Sequence, residues 1–491
     1  MDNSEFRRPH RAVAFVLCCG LFLLYLSNLR TIPTGDSIPA RFLPFSLLLH
    51  HNIYLDEWIQ PYIDPPPPSG IYYVTHVRGH WISIYPILTP LIITPVYVAP
   101  AWWLSRQLTF PSSDSLRLIA NGMEKISAAL LAALSGGIFF LALRKILTVR
   151  ESIILTLVYA AASSTWSISS QVLQTHAVSE VAFTLLLWAL LDLPFGRYSA
   201  FWAGLALGLA VANKLPNSVV ALPIAIYFVL HHRDKLVQFF VPPALIGAIL
   251  FTYNVYYFGT VAGGYVQAFH AMGYTGVGDA FRGSVWAGAA GFLMSPSRSL
   301  FIYMPWTIFS LWGAVKLWRE NTLDWGRYLI AGAAALFLVY CRVERWWGGW
   351  TFGPRYLTDL VPFLTFFLAL VWRDAVSRVA LRATLAVCIA LAIFVQIIGV
   401  FYYPAGAWDS TPVTVDDQPS RVWDWRDPQL LRTWKAGPAK SNLVERWRQL
   451  WDERRRHSGK SVAKNRLPTL QSEENRQPLA SLEREYARGQ P

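Results

Sequence analysis

The sequence predicts an all-α, polytopic membrane protein: a bundle of about eleven transmembrane helices with a long first extracytoplasmic loop that contains juxtamembrane helices. Two observations lead to this prediction. Of the 491 residues, 54% are hydrophobic and only 15% are charged, whereas soluble globular proteins are about 25% charged. Apolar runs long enough to cross a bilayer also recur from residue 12 to residue 402. We therefore expect helices that bury one another within lipid.

The net charge of +13 lies largely in short loops between the apolar runs and in the C-terminal tail. In a soluble protein such a charge would suggest nucleic acid. In a membrane protein, basic loops set the orientation and attract anionic lipid. We therefore predict the lipid bilayer as a partner, and no nucleic acid.

The first apolar run follows a basic flank and is not followed by a small-residue cleavage site. This pattern predicts a retained signal anchor with a cytoplasmic N-terminus. The predicted spans are 12–29, 126–143, 151–166, 178–193, 199–213, 217–231, 236–257, 299–318, 327–341, 356–372 and 382–402.

Residues 82–104 are apolar enough to span the membrane but contain four prolines, which kink helices and remove backbone donors. If this run does not cross, the basic loops at 144–150, 233–235, 316–327 and 373–382 all fall on the cytoplasmic side, as the positive-inside rule requires. We therefore predict that 82–104 is a re-entrant or juxtamembrane element within the first extracytoplasmic loop, 30–125. The C-terminus is then extracytoplasmic.

The chain divides at residue 402. Residues 1–402 form the predicted transmembrane domain. Residues 403–491 mix tryptophan with charge and then lose apolar residues, which predicts a basic peripheral tail at the headgroups with a disordered end.

The stretch "TGDSIPARFLPFSLLLHHNIYLDEW" (34–58) places acids just after the first span. Ionisable groups at the membrane are costly, so they indicate function by default. Asp36 is the candidate catalytic residue, although it could instead cap a helix. We include Arg41, Asp56 and Glu57 as candidate substrate contacts, while an exposed helix start explains the last two equally well.

Lys214 interrupts an apolar run at "NKLPN" and lies at the extracytoplasmic face in the predicted topology. It could bind a phosphate as a point charge or extend to the headgroups. Arg298 and Arg355 each precede a predicted span and could hold a phosphate bidentately or anchor a helix end. Tyr356, beside Arg355, is a further candidate substrate contact.

His176 and Glu180 lie one helical turn apart in "QTHAVSE" and are candidate substrate contacts. Two such side chains do not make a metal site. We predict no metal ligands and no defined cofactor, while a requirement for a divalent metal stays open.

Several stretches together resemble the C-type (GT-C) membrane glycosyltransferases, with protein O-mannosyltransferases and lipid A aminoarabinose transferases as the nearest comparison. They are an acid soon after the first span followed by "ARFLPFSLLLHHNIYLDEW", then "GLALGLAVANKLPNSVVALP", "SPSRSLFIYMPW" and "WWGGWTFGPRYLTDLVPFL". The resemblance covers most of 12–402. It implies a sugar donor carried on a polyprenyl phosphate and transfer outside the membrane with inversion. On that pattern Asp36 matches the catalytic acid and Lys214 the donor-phosphate contact.

The residue inventory agrees with such a reaction. A phosphate leaving group needs cations, here Lys214, Arg298 and Arg355, and an acceptor hydroxyl needs a carboxylate base, here Asp36. The expected protein lies in the plasma (inner) membrane, with a glycan, lipid or protein as acceptor. The alternatives are a transporter or flippase for an anionic lipid-linked substrate, and a non-catalytic scaffold.

Overall fold

The computed structural model describes residues 3–32, 34–63, 72–106, 113–271, 273–276, 278–441 and 443–449. The predicted disordered end of the tail lies outside these residues. Of the described residues, 72% are helical. Its first eleven helices are α1 (Asn3–Leu26), α2 (Ile38–Phe45), α3 (Asp56–Ile63), α4 (Leu88–Ile93), α5 (Val98–Ser105), α6 (Ser113–Leu143), α7 (Val149–Ala161), α8 (Thr175–Asp192), α9 (Ser199–Asn213), α10 (Ser218–His231) and α11 (Leu236–Phe258).

The second part of the chain is also helical. Its elements are α12 (Tyr265–Ala271), α13 (Val285–Met294), α14 (Leu300–Tyr303), α15 (Thr307–Glu320), α16 (Gly326–Arg342), α17 (Val361–Ser377), α18 (Val379–Phe401) and α19 (Gln429–Ala436). The tail after residue 402 returns to the bundle, where Trp408 and Val422 are buried in its core.

Six segments in the described part of the chain are helical, long and apolar enough to cross a membrane. These apolar helices are consistent with a bilayer environment. The predicted number of eleven spans is not confirmed. One of the six is Leu88–Ser105, which joins α4 and α5 through a 3-10 turn at Thr94–Tyr97. The prediction that this run does not cross therefore stays a prediction.

A short β-hairpin departs from the all-α prediction. Strands β1 (Val74–Val77) and β2 (His80–Ser83) pair in antiparallel register, with Val74 opposite Ser83. The turn between them has positive φ at Arg78 (53°) and Gly79 (86°), which matches the right-handed twist of the two strands. This hairpin is the only sheet among the described residues.

Helices α1 and α6 run antiparallel. A Cβ at Gly137, near the end of α6, would lie 3.4 Å from the carbonyl oxygen of Ala14, in the first half of α1. Asn28, just after α1, and Lys125, in the first half of α6, both donate to the side-chain oxygen of Gln171. The end of α1 and the start of α6 therefore lie at the same end of this helix pair.

The basic loops meet at the other end of the bundle, which we call the basic end. Lys235 donates from the turn before α11 to the carbonyl of Leu193, after α8. Ion pairs also join neighbouring helix ends there: Lys145 with Asp192, Arg373 with Glu151, and Lys316 with Asp374.

Two hydrophobic clusters build the structure. The main core contains residues from α1, α6–α11 and α13–α18. A second cluster joins α2, α3, the hairpin, α4 and α5 to the first half of α6 and the start of α8. The described residues between α1 and α6, which belong to the predicted first extracytoplasmic loop, therefore form a packed unit at the end of the bundle opposite the basic end.

Gly204 on α9 permits close packing with α11. A Cβ at this position would lie only 1.9 Å from the carbonyl oxygen of Phe239, and 2.8 Å from its carbonyl carbon. Small residues at such crossings let two helix backbones approach each other within a membrane. The crossing of α9 and α11 therefore depends on glycine at this position.

We predict that Gly204→Ala destabilises the protein by about 1–3 kcal/mol, the usual cost of overpacking. The matched control is Gly247→Ala on α11, where no atom lies within 4 Å of the added Cβ. Thermal unfolding of the purified variants and the wild type in the same detergent measures the change in stability for each substitution. Equal unfolding midpoints for the two variants would contradict the prediction.

Candidate functional site

Two protein groups bind the carboxylate of Asp36. The residue lies in a 3-10 turn, Gly35–Ser37, directly before α2. Tyr85 donates its hydroxyl to Oδ1 at 2.8 Å, and Arg355 donates from Nη1 to Oδ2 at 3.0 Å. The Asp36 side chain is still 28% exposed. Asp36 is therefore oriented through both oxygens and open to a ligand.

Tyr85 comes from the segment between β2 and α4, so the second hydrophobic cluster positions it together with Asp36. Burial, and then the neighbouring Asp36 carboxylate, raise the pKa of Tyr85 well above its usual value. Its hydroxyl consequently keeps its proton and acts as the donor in the pair.

Arg355 begins a 3-10 helix, Arg355–Leu360, that leads into α17. The preceding loop contains the motif "WWGGWTFGP". Gly349 and Gly353 have φ of 67° and 68° there, in the left-handed region that favours glycine. A Cβ at Gly353 would also lie 2.5 Å from the Tyr303 ring. The glycines thus permit the tight loop that presents Arg355 to Asp36.

A second carboxylate, Asp359, lies one turn after Arg355 and is completely buried. Lys214 Nζ lies 2.7 Å from Oδ2 and His176 Nδ1 lies 2.8 Å from Oδ1. The Tyr340 hydroxyl also donates to Oδ2. A buried charge is costly unless it is paired and hydrogen-bonded, and here three side chains satisfy this requirement.

The partners of Asp359 come from different helices. His176 lies in the first turn of α8, and Tyr340 lies in the last turns of α16. Lys214 has extended backbone angles between α9 and α10, because Pro216 prevents α9 from continuing. Three chain segments therefore converge on one carboxylate.

The ring of Tyr356 connects the two carboxylate groups. It stacks on Tyr340 with ring centres 5.4 Å apart. The Arg355 guanidinium carbon lies 5.5 Å from the Tyr356 ring centre, and Lys214 Nζ lies 5.6 Å from it. We call the whole set the two-carboxylate cluster: Asp36, Tyr85, His176, Lys214, Tyr340, Arg355, Tyr356 and Asp359.

An apolar cavity of about 340 Å³ adjoins this cluster. Tyr85, a member of the cluster, lines the cavity together with Tyr265. Most of the other lining residues are apolar side chains of α9, α10 and α11. Only Phe239, Pro242 and Phe258 of α11 are buried, so this helix lies at the outer surface of the bundle. The site therefore combines paired charges with this apolar cavity on the lipid-facing side of the bundle. We call the cavity the apolar groove.

Arg298 lies apart from this cluster in a separate network. It is completely buried, and its Nε donates to the carbonyl of Trp347 at 2.7 Å. Nη1 donates to Gln429 at 2.7 Å, and Nη2 lies 3.3 Å from Asp409 Oδ1. These bonds join the loop before α17 to the C-terminal tail. The predicted phosphate contact by Arg298 finds no support in this geometry.

Arg41 supports the turn that carries Asp36. Its Nε lies 3.1 Å from Glu124 on α6. Nη2 donates to the Thr34 carbonyl and to the Ser37 hydroxyl, both at 3.2 Å. Arg41 is buried, so its geometry favours positioning of Asp36 over direct contact with substrate.

The other predicted substrate contacts have local partners. Asp56 accepts from the Trp81 amide at 2.7 Å and lies 2.7 Å from His80 Nδ1, which joins α3 to the hairpin. Glu57 is 63% exposed and pairs with His50.

Glu180 is fully buried in α8 and accepts from Thr165 at 2.7 Å. It does not share the partner of His176, although the two residues lie one turn apart.

Sequence reasoning missed Tyr85, Tyr340 and Asp359. Asp359 lies in the same unusual stretch as Arg355, four residues later and at the start of a predicted span. The criterion that selected Asp36, an acid beside a span, also applies to Asp359. No sequence signal distinguished the two tyrosines from the many interfacial ones.

Among the described residues, no group of three or more histidine, cysteine, aspartate or glutamate side chains is arranged to hold a metal ion. Comparisons of the chain with protein-family models, with curated proteins and with solved structures found no match. The resemblance to membrane glycosyltransferases therefore stays a prediction.

We predict that Asp359→Asn destabilises the protein by about 3–5 kcal/mol, because Lys214 would remain buried without its counter-charge. The control is Asp56→Asn, which also loses a paired aspartate, but one that is 38% exposed. Thermal unfolding in detergent compares the two. An unfolding midpoint of Asp359→Asn at or above that of the control would show that the buried pair is not required for stability.

Proposed function

We propose that this protein is a membrane glycosyltransferase of the GT-C type. It moves a sugar from a polyprenyl-phosphate donor to an acceptor hydroxyl at the extracytoplasmic membrane face, with inversion. The observation that carries the proposal is the contact of Asp36 with Arg355 beside an apolar, lipid-facing groove. A carboxylate, cations and a groove for a lipid chain are the parts that such a reaction needs.

The proposed topology has eleven crossings, made by α1, α6–α11, the α14–α15 pair and α16–α18. The antiparallel contact of α1 with α6 supports it, because residues 27–112 then begin and end at one membrane face. The basic end supports it as well, since the loops that meet there are those expected on the cytoplasmic side. Asp36 and Arg355 lie at the opposite, extracytoplasmic end. The site would then face outward from the plasma membrane.

The donor phosphate would lie between Arg355 and Lys214, with its polyprenyl chain along the groove lined by α9 and α11. Both cations are held by carboxylates in the structure, Arg355 by Asp36 and Lys214 by Asp359. A phosphate entering between them would replace part of this pairing with charge-assisted bonds of similar kind. The cations are thus kept in place before the donor arrives.

Asp36 would act as the general base. The acceptor hydroxyl attacks the anomeric carbon and transfers its proton to Asp36 as the bond from that carbon to the phosphate oxygen breaks. The polyprenyl phosphate leaves with the bonding electrons, and Arg355 and Lys214 stabilise its charge without a general acid. A single displacement of this kind inverts the anomeric centre. Tyr85 would orient the carboxylate.

We predict that Asp36→Asn lowers the rate of sugar transfer about 10²–10⁴-fold, the usual contribution of a general base. The amide keeps size and hydrogen bonding but cannot accept the proton. Transfer from a polyprenyl-phosphate sugar by the purified variant measures the effect. The matched controls are Asp56→Asn and Glu57→Gln, which should keep near-normal rates.

Near-normal turnover by Asp36→Asn would remove the base assignment. Reconstituted vesicles separate the transporter alternative, because a flippase would move the labelled donor between leaflets without transferring its sugar. Movement of the donor without sugar transfer by the wild-type protein would contradict the enzyme proposal and support the transporter alternative.

We also predict the side of the membrane on which two exposed positions lie. In a chain without its native cysteines, Ser420→Cys in the tail should react with a membrane-impermeant maleimide on intact cells. Asp234→Cys at the basic end should react only after the cells are lysed. The opposite pattern would reverse the orientation and place Asp36 on the cytoplasmic side.

A further inference from the structure

A second cavity, of about 440 Å³, lies between α15 and α17 at the basic end. Asp374 lines it near the end of α17, while Arg355 and Asp359 precede the start of the same helix. Because α17 has 17 residues, the two sites lie roughly 25 Å apart along its axis. This cavity is therefore separate from the two-carboxylate cluster.

The cavity has an excess of positive charge. Lys316, Arg319 and Arg378 line it, together with the two acids Glu320 and Asp374. Lys316 pairs with Asp374 and also interacts electrostatically with Glu320. Of the two acids, Asp374 is therefore held by the lysine through an ion pair.

The two arginines carry the remaining positive charge of the cavity. Arg319 and Arg378 are exposed. Within the described ranges, neither guanidinium has a hydrogen-bond or ion-pair partner. Two free guanidinium groups at one concave surface can bind a phosphate with several charge-assisted hydrogen bonds.

The start of α18 adds to this positive field. Arg378 is the residue before the 23-residue helix Val379–Phe401, and its side chain makes no capping hydrogen bond there. The first N–H groups of a helix lack partners within the helix, and the helix dipole favours an anion at this end. An anion near Arg378 would thus meet both a guanidinium group and a helix N-terminus.

An apolar stripe leads along α15 to the cavity. Ile308, Leu311, Trp312 and Val315 are 54%, 49%, 38% and 49% exposed. Their spacing of i, i+3, i+4 and i+7 places them on one face of the helix. This face is lipid-facing, and Trp312 and Val315 also line the cavity. The site therefore offers contacts for acyl chains next to its charged groups.

We infer that this cavity binds an anionic diacyl phospholipid from the leaflet at the basic end. Arg319 and Arg378 hold the phosphate of the headgroup, and the stripe from Ile308 to Val315 contacts the acyl chains. Charge complementarity and the adjoining apolar stripe favour a lipid over a soluble anion. Binding at this site also stabilises the folded protein, because a ligand that binds only the folded state adds to its stability.

The experiment uses the full chain in detergent, titrated with phosphatidylglycerol or with phosphatidylcholine of the same acyl chains. Thermal unfolding and native mass spectrometry report stabilisation and lipid retention. We expect phosphatidylglycerol to raise the unfolding midpoint more than phosphatidylcholine does. In the double variant Arg319→Gln/Arg378→Gln, affinity for phosphatidylglycerol should fall by roughly 30-fold, from about 1 kcal/mol for each basic residue at 1.4 kcal/mol per tenfold.

The matched control is Arg197→Gln/Arg233→Gln, which removes two exposed arginines from the same end but outside the cavity. It should retain the wild-type affinity. The variant Arg319→Lys/Arg378→Lys should recover part of the lost binding, because it restores the charge but not the paired hydrogen bonds of the guanidinium groups.

Three outcomes would overturn the inference. An equal loss of affinity for phosphatidylglycerol in the control variant would mean that the lipid is attracted to the basic end in general and not to this cavity. Equal stabilisation by phosphatidylcholine would remove the role of the charged groups. Glycerol phosphate that stabilises the protein as much as phosphatidylglycerol, at the same phosphate concentration, would show a site for soluble anions.

Discussion

The buried carboxylate of Asp359 sets the strongest constraint on this structure. A charge without access to water is tolerated only with close partners of opposite sign and enough hydrogen-bond donors. Lys214, His176 and Tyr340 supply them from three separate segments of the chain. The ends of α8, α9 and α16 must therefore meet at the start of α17. The same short 3-10 helix carries Arg355, so the pairing of Asp359 also determines where Arg355 lies.

The candidate site forms where two hydrophobic clusters meet. Asp36 and Tyr85 belong to the packed unit between α1 and α6, and Arg355 belongs to the helix bundle. Each unit supplies one charge of the Asp36–Arg355 pair, at 3.0 Å. This division gives a physical reason for the exposure of Asp36: a group at a junction is open on the side where neither unit covers it. The apolar groove begins at the same junction, beside Tyr85.

The sequence and the structure agree on part of the site. Four of the five charged or polar residues that the predicted topology places at one membrane face, Asp36, His176, Lys214 and Arg355, lie in one cluster, together with Tyr356, the neighbour of Arg355. Arg298 met the same criterion but bonds to the tail and to the loop before α17. Position relative to a span cannot distinguish Arg355 from Arg298, because both residues precede an apolar run. The difference depends on which acceptors the folded chain brings near each guanidinium group.

The sequence by itself determined the membrane class, most helix positions and the distribution of basic loops, because hydropathy and charge act locally along the chain. It also indicated the irregular loop before Arg355, since paired glycines favour backbone angles that other residues avoid. Only the tertiary structure decided that Asp359 holds Lys214 and His176, that Tyr85 binds Asp36, and that Arg41 supports the turn. These contacts join residues far apart in the chain, and they depend on how helices and loop segments pack. Which of these residues meet depends on the packing of the whole bundle, so no local pattern in the sequence specifies the contacts.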